Sequence, residues 1–267
     1  MARQAGAPGP ASPTGTPGLV PTLELRGIAK SFGSVRALER VDFSAHAGEV
    51  HAIVGDNGAG KSTTIKIVTG LHRGDEGTIH VAGERLDLAH DASDARSRGI
   101  AVVHQDLALV ECLDISTNMA LGNLPRRFGV LDRRRMDREA AQVLRDLQVR
   151  VGDVRTPVGL LSGGQRQVVA IARAVRMDTP IVLLDEPTAA LGVQESARVG
   201  TILDNLKAAG KAVICISHDL EFVFRHADRI TVLRLGRTVG TREVARTTRD
   251  EVISLITGLA HDEGSAA

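Results

Sequence analysis

From residue 165 to residue 234 the chain alternates between helical periodicity and short runs of uninterrupted apolar residues. Helical spacing covers 165–177, 193–209 and 219–226, and the apolar runs at 180–184, 212–217 and 229–234 read as strands. A strand with no polar face has to be buried on both sides. Such strands build a mostly parallel sheet with helices packed on both faces, so the expected fold class is α/β. Upstream, the alternating residues 23–28 read as a half-buried strand. Residues 49–54 read as a strand running into a Gly-rich turn, 61–69 as a helix stopped by Gly70, and 78–82 and 99–103 as further strands. Residues 106–160 are more helical and richer in Arg, and no internal repeat is visible.

Both ends read differently from the body. Residues 1–22 carry five of the nine prolines, among Gly, Ser and Thr, with no apolar block of the secretory type. This composition cannot bury enough surface to offset ordering entropy, so a disordered tail is expected there, and a frayed end over 261–267. Composition excludes some classes of function. With 33 Lys and Arg against 32 Asp and Glu the net charge is +1, unlike a dedicated nucleic-acid binder. The chain has no Trp, no Tyr and five Phe, too few rings for a single-strand stacking platform, so no nucleic-acid partner is expected. No run of 18 apolar residues suggests a membrane-spanning helix. Cys112 and Cys215 have no metal spacing and read as two buried, reduced thiols.

Gly55-Asp56-Asn57-Gly58-Ala59-Gly60-Lys61-Ser62 fits the phosphate-loop pattern, with a strand before it and a helix after it. Gly55, Asn57, Gly58 and Gly60 belong to a loop whose backbone N–H groups can converge on phosphate oxygens, because glycine has no Cβ to block the approach. The positive end of the following helix adds to the attraction. Lys61 is placed to reach the β- and γ-phosphates, and the Ser62 hydroxyl to ligate Mg²⁺. A second acidic site is needed for the metal. Ile181-Val182-Leu183-Leu184-Asp185-Glu186 supplies it at the C-terminal tip of an apolar strand, where ligands bind in open α/β sheets. Asp185 would hold Mg²⁺ through water. Glu186 points another way and can orient and deprotonate an attacking water.

Leu161-Ser162-Gly163-Gly164-Gln165 precedes a helix and offers a second anion-binding helix start: a hydroxyl, two glycine N–H groups and a helix dipole. The string resembles the signature motif of ABC-type ATPases, and the resemblance extends over about residues 23–258. Gln105, in Val103-His104-Gln105-Asp106, is similar to the Q-loop glutamine of that family. His218, in Ile216-Ser217-His218-Asp219, is similar to its switch histidine, and Phe32 falls where the family places an adenine-stacking aromatic. The resemblance implies a P-loop NTPase core with an antiparallel β subdomain and a helical signature subdomain, the last over about 106–160. It implies that Gly58, Gly60, Lys61, Ser62 and Thr63 hold the triphosphate of ATP and its Mg²⁺. Gln105 would touch the metal and the attacking water and sense a membrane partner. Glu186 would be the general base, and His218 would contact the γ-phosphate. Ser162, Gly163, Gly164 and Gln165 would act on the nucleotide of a second copy in a head-to-tail homodimer that closes on ATP.

After the acidic strand the family runs through a loop that bears an acid, whereas Pro187-Thr188-Ala189-Ala190-Leu191-Gly192 ends in glycine. Gly192 offers no side chain to hydrogen-bond across the dimer. This wording, with Val252-Ile253-Ser254-Leu255-Ile256-Thr257-Gly258, resembles the ATPases of ribose/fructose-type simple-sugar importers. That subfamily implies integral-membrane permease subunits, indirectly a sugar-binding protein, and a place at the cytoplasmic face of the membrane. The alternatives are an ABC ATPase of a transporter for another substrate, or one that serves no transporter. The arginines Arg126, Arg127, Arg133, Arg134, Arg135 and Arg138 read as a solvated face, or as a contact for permease loops or anionic lipid.

Overall fold

The computed structural model describes residues 20–149, 152–176 and 179–259. The chain opens with β1 (Leu23–Phe32), β2 (Val35–Ala45) and β3 (Glu49–Val54), then α1 (Lys61–Val68), β4 (Glu76–Val81) and β5 (Glu84–Leu86). Next come α2 (Ala92–Ser97), β6 (Ile100–Val103), α3 (Ile115–Ala120), the short strands β7 (Arg126–Arg127) and β8 (Val130–Leu131), and α4 (Arg133–Asp146). The last part runs α5 (Gly163–Val175), β9 (Ile181–Asp185), α6 (Val193–Ala208), β10 (Ala212–Ile216), α7 (Leu220–His226), β11 (Arg229–Arg234), β12 (Arg237–Glu243) and α8 (Arg249–Thr257). Among the described residues ten strands share one sheet in the order β5-β4-β1-β2-β12-β11-β3-β10-β9-β6. The run from β11 to β6 is parallel, and β5-β4-β1-β2 is antiparallel.

The apolar runs behave as their composition requires. In β9, Val182 and Leu184 enter the core formed with α5 and α6, while Ile181 and Leu183 enter the opposite core with Ile65, Ile67 and Val68 of α1. In β10, Val213 and Cys215 face the first core, and Ala212, Ile214 and Ile216 the second. Successive side chains of a strand point to opposite faces, so a strand apolar throughout belongs in the middle of a sandwiched sheet.

Several elements were not legible beforehand: β2, β5, α2, the short strands β7 and β8, β12 and α8. β1 and β2 pair through register shifts at several places, which break the period-2 pattern that marks a strand. Every residue of β12 is at least partly exposed, so it carries no apolar run. β1 runs four residues beyond its predicted end, to Phe32. The predicted tail lies outside the described residues up to residue 19. Its last member, Thr22, is already part of the sheet, donating to the Ala45 carbonyl at 2.8 Å and accepting from the Ala82 amide at 2.9 Å. Residues 261–267 and Met177 also lie outside the described residues. One expectation is corrected: Cys215 is buried, but Cys112 is exposed, because it sits in the loop before α3 and not in a core element. Burial pushes the Cys215 thiol well above its usual range, with the charges of Glu186 and Asp185 adding to the effect.

Within 106–160 the chain folds as α3 and α4 with the β7–β8 hairpin between them, and both helices pack on α5. Asp114 fastens this unit. It caps α3 by accepting from the Thr117 amide at 2.7 Å, and it pairs with Arg133 of α4 at 2.6 Å. Partial burial by itself would raise its pKa. The hydroxyl of Thr117, the Arg133 guanidinium, the Thr117 amide and Ser116 outweigh it and hold the carboxyl at about 2. A carboxyl held below its unfolded value of about 3.9 contributes stability above that value and loses it as pH falls toward the folded one. Asp114→Ala should therefore cost about 1–2 kcal/mol at neutral pH. In urea unfolding series at stepped pH, that difference should shrink as pH falls from about 4 to about 2.

Candidate active site

The phosphate loop is shaped by packing as much as by its ligand. A Cβ on Gly55 would lie 2.2 Å from the Leu233 carbonyl oxygen, and one on Gly60, which has φ +103°, would lie 2.4 Å from Leu38 Cδ2. Lys61 is buried and folds back over the loop, its Nζ donating to the Gly55 and Asp56 carbonyls at 2.8 and 3.0 Å. The loop is thus held as a ring around the start of α1. The first-turn N–H groups of that helix, at Lys61, Ser62 and Thr63, have no helical acceptor and remain to receive an anion. Ser62, Asn57 and Gly58 are exposed beside them.

Strand register brings the other groups to the same edge. Ile216 pairs with Ile53 on one side and with Asp185 on the other, and Leu184 pairs with Val103. The C-terminal tips of β3, β10, β9 and β6 therefore lie level, and the phosphate loop, His218, Glu186 and Gln105 all follow directly from them. Asp185 falls on the face of Ile181 and Leu183, the face that α1 covers. Its Oδ1 is buried and has no hydrogen-bond partner. Burial raises its affinity for a proton, and Glu186 adds to this, while His104, Lys61 and Lys66 oppose it. His104 itself is pushed down, chiefly by burial.

Glu186 leaves the strand with φ +51°, a left-handed conformation that costs a side-chain-bearing residue about 1–3 kcal/mol. Its amide donates to the Ile216 carbonyl at 2.9 Å, which pins the turn to the tip of β10. Its Oε2 meets His218 Nδ1 at 2.8 Å. The His218 side chain is 69% exposed, against 14% for Glu186, so an exposed ring reaches down to an enclosed carboxylate. Gln105 is exposed just beyond β6. Phe32 ends β1 half-exposed, with His72 edge-on at 5.2 Å and Lys30 Nζ 5.3 Å from its ring centre.

The residues present suit magnesium. Among the described residues no group of three or more His, Cys, Asp and Glu could hold a metal alone. Mg²⁺ characteristically takes one or two carboxylates and completes its shell with water and substrate phosphates. The unpartnered Asp185 oxygen, with the hydroxyl of Ser62 and the side-chain oxygen of Gln105, would supply hard oxygen donors of that kind.

Among the described residues no hydrogen bond or ion pair joins the signature segment to these groups. Ser162 is the N-cap of α5: its Oγ accepts from the Gln165 amide at 3.2 Å, and its own amide donates to Gln165 Oε1 at 2.9 Å. The capping function and an anion site use the same helix start. A residue the sequence reasoning passed over sits on it. Glu195 Oε1 accepts from Ser162 Oγ at 3.2 Å, and its Oε2 accepts from the Gly192 amide at 3.2 Å. The Glu195 side chain lies directly over Gly164, where a Cβ would be 2.6 Å from its Cγ and Cδ. The signal for half of this was present, since an acid at the third position of a predicted helix caps its start. The half that reaches Ser162 depends on how α5 and α6 pack.

Two substitutions separate the two jobs of the phosphate loop. Gly55→Ala should destabilise the whole chain by several kcal/mol, because the new atom meets backbone. Lys61→Ala should leave the thermal unfolding midpoint within a few degrees of the parent while nucleotide binding is lost; titration calorimetry alongside a melting curve reads both.

The family model described as ABC transporter matches residues 38–189. The ribose import ATP-binding protein RbsA of Chromobacterium violaceum is 44% identical over 234 residues, which is 88% of this chain and 46% of that protein. The xylose/arabinose import ATP-binding protein XylG of Sulfolobus acidocaldarius is 41% identical over 238 residues, 89% of this chain and 94% of that one. The chain thus spans about half the length of the ribose-type relatives it matches and nearly all of the xylose/arabinose one. A dimeric cassette solved in a post-hydrolysis state with ADP and Pi superposes with a TM-score of 0.73 at 27% identity, over 85% of this chain and all of that one. A nucleotide-free cassette of an ABC transporter has the same fold, with a TM-score of 0.76 at 23% identity over 89% and 96% of the two chains. With its level strand tips, phosphate loop and capped signature helix, the chain belongs to the ABC transporter family as one of its ATP-binding cassettes.

Proposed function

We propose that the chain binds ATP with Mg²⁺, hydrolyses it in a head-to-tail pair of cassettes, and so drives a membrane importer of simple sugars. The observation that carries the reading is the alignment of Lys61, Asp185 and the Glu186–His218 pair along one sheet edge, with that pair 2.8 Å apart. The first-turn amides of α1 and Lys61 would take the triphosphate, and Phe32 would offer its exposed ring to the adenine. Magnesium, when bound, would neutralise phosphate charge, held by Ser62, Asp185 and Gln105. Glu186 is enclosed and oriented by His218, so its free oxygen can take a proton from a water. That water's oxygen bonds to the γ-phosphorus as the bond to the β–γ bridging oxygen breaks, releasing ADP and phosphate. His218 is exposed enough to swing to the γ-phosphate. The sugar class comes from the relatives named for ribose, xylose and arabinose import. Among the described residues no helix is long and apolar enough to cross a membrane, so the path for the sugar would lie in permease subunits, supplied by a sugar-binding protein, with the cassette at their cytoplasmic side.

The second cassette would bring its own Ser162, Gly163, Gly164 and Gln165 to the γ-phosphate. In the structure Glu195 already holds that serine hydroxyl. A carboxylate over an anion-binding helix start competes with phosphate, so closure of the pair would require Glu195 to give up Ser162. Glu195 also ties down the amide of Gly192, through a neighbouring side chain, in the loop where the family's usual acid is missing.

Glu186→Gln should keep ATP affinity, reduce steady-state hydrolysis at least a hundredfold, and accumulate an ATP-bound dimer on size exclusion. Hydrolysis at the parent rate would remove Glu186 as the base. Sugar coupling is tested by reconstituting the cassette with its permease and asking which sugar-loaded binding protein stimulates phosphate release. Adding Glu195→Ala to the Glu186→Gln background should lower the ATP concentration for half-maximal dimerisation about fivefold, the worth of one competing hydrogen bond. An unchanged or higher requirement in light scattering would reject the competition.

A further inference from the structure

The β7–β8 hairpin carries a combination that neither the core nor the ATP site uses. Its strands pair Arg126 with Leu131 and Arg127 with Val130, leaving Phe128 and Gly129 as the two turn residues. Both have positive φ, +52° and +83°. A two-residue turn of this kind favours Asn or Asp before Gly, since a bulky side chain is disfavoured in the left-handed region. Here that place is taken by a phenylalanine that is 93% exposed. Among the described residues the Arg127 guanidinium, 5.5 Å from the ring centre, is the one cationic or aromatic group against this ring. Val130 and Leu131 are exposed beside it.

Most charged residues in the segment around this tip are arginines, beside Asp132. Arg133 and Arg135 are paired, with Asp114 and Glu139. Arg126, Arg127, Arg134 and Arg138 form no ion pair among the described residues. The base of the hairpin is firm: the Asp132 amide donates to the Pro125 carbonyl at 2.9 Å, and Pro125 is buried. A rooted tip therefore presents the exposed Phe128 ring beside the free guanidinium group of Arg127, with Arg126 next to it in β7 and Arg134 and Arg138 following in α4.

We propose that this hairpin inserts Phe128 into the headgroup region of an anionic lipid bilayer, with Arg126, Arg127, Arg134 and Arg138 against the lipid phosphates. A protein partner would need a contact of hundreds of Å² per side, which two strands of two residues do not offer. A bilayer asks only for a ring that tolerates the interface and for diffuse positive charge. The inference goes beyond the transport reading and stands apart from it, because lipid binding needs neither nucleotide nor permease.

The test is flotation of the full chain, without nucleotide, with vesicles of phosphatidylcholine alone and of phosphatidylcholine mixed with phosphatidylglycerol, at low and at physiological salt. The parent should float with the anionic vesicles, less at higher salt, and stay behind with the neutral ones. Phe128→Asn suits the turn, so its fold is safe, and it should weaken vesicle binding about tenfold through loss of the ring. Arg126→Gln with Arg127→Gln should weaken it roughly thirtyfold, about fivefold per cation. Solution ATP hydrolysis by Phe128→Asn should equal that of the parent, so failure of the lipid reading and failure of the ATPase reading are told apart. Equal binding to both vesicle types, no binding to the anionic ones, or full binding by Phe128→Asn would each overturn the proposal.

Discussion

The level alignment of four parallel strand tips is the constraint on which everything else rests. Ile53, Ile216 and Asp185 are neighbours across three strands, and Val103 stands beside Leu184. Parallel strands need long crossovers, so groups that end up side by side at residues 55, 105, 186 and 218 are scattered along the chain. The apolar pattern enforces the register. A slip of one residue in β9 would exchange the faces of Ile181 and Leu183 with those of Val182 and Leu184, and put Asp185 into the core of α5 and α6 instead of beside α1.

The same alternation divides labour between two adjacent acids. Asp185 is carried to the face of α1, where burial and the neighbouring Glu186 outweigh His104, Lys61 and Lys66 and leave it with an unpartnered oxygen and a raised proton affinity. Glu186 turns out of the strand through a left-handed residue and finds His218. Burial and like charge disfavour two ionised carboxylates side by side here, and that same imbalance would favour a bound cation.

At the signature helix, the glycine in place of an acid at residue 192 removes a side chain but not a tether. Glu195 holds the Gly192 amide and the Ser162 hydroxyl with its two oxygens, so α5 and the loop before α6 are linked within one cassette. The local rule that explains its first contact says nothing of the second.

The phosphate loop, the acidic strand tip and the capped helix start were legible because each is a local arrangement in which a few consecutive residues dictate backbone and chemistry. The apolar strands were legible for the same reason: burial on both faces leaves no polar residue in the run. β2 and β12 were not, since what holds them is distant. Asp42 and Thr238 exchange hydrogen bonds across 196 residues; β12 has no apolar face to announce it, and β2 alternates only over Val41, Phe43 and Ala45. The exposed Cys112, the ring of Phe128 at a strained turn and the reach of Glu195 to Ser162 likewise appear only once helices are packed. By itself, then, the sequence determined which segments form the glycine-rich loop and the capped helix start, and which strands lie in the middle of the sheet, because those follow from spacing and hydrophobicity. The tertiary structure decided which groups meet, because contacts between distant segments are set by register and packing that no local pattern encodes.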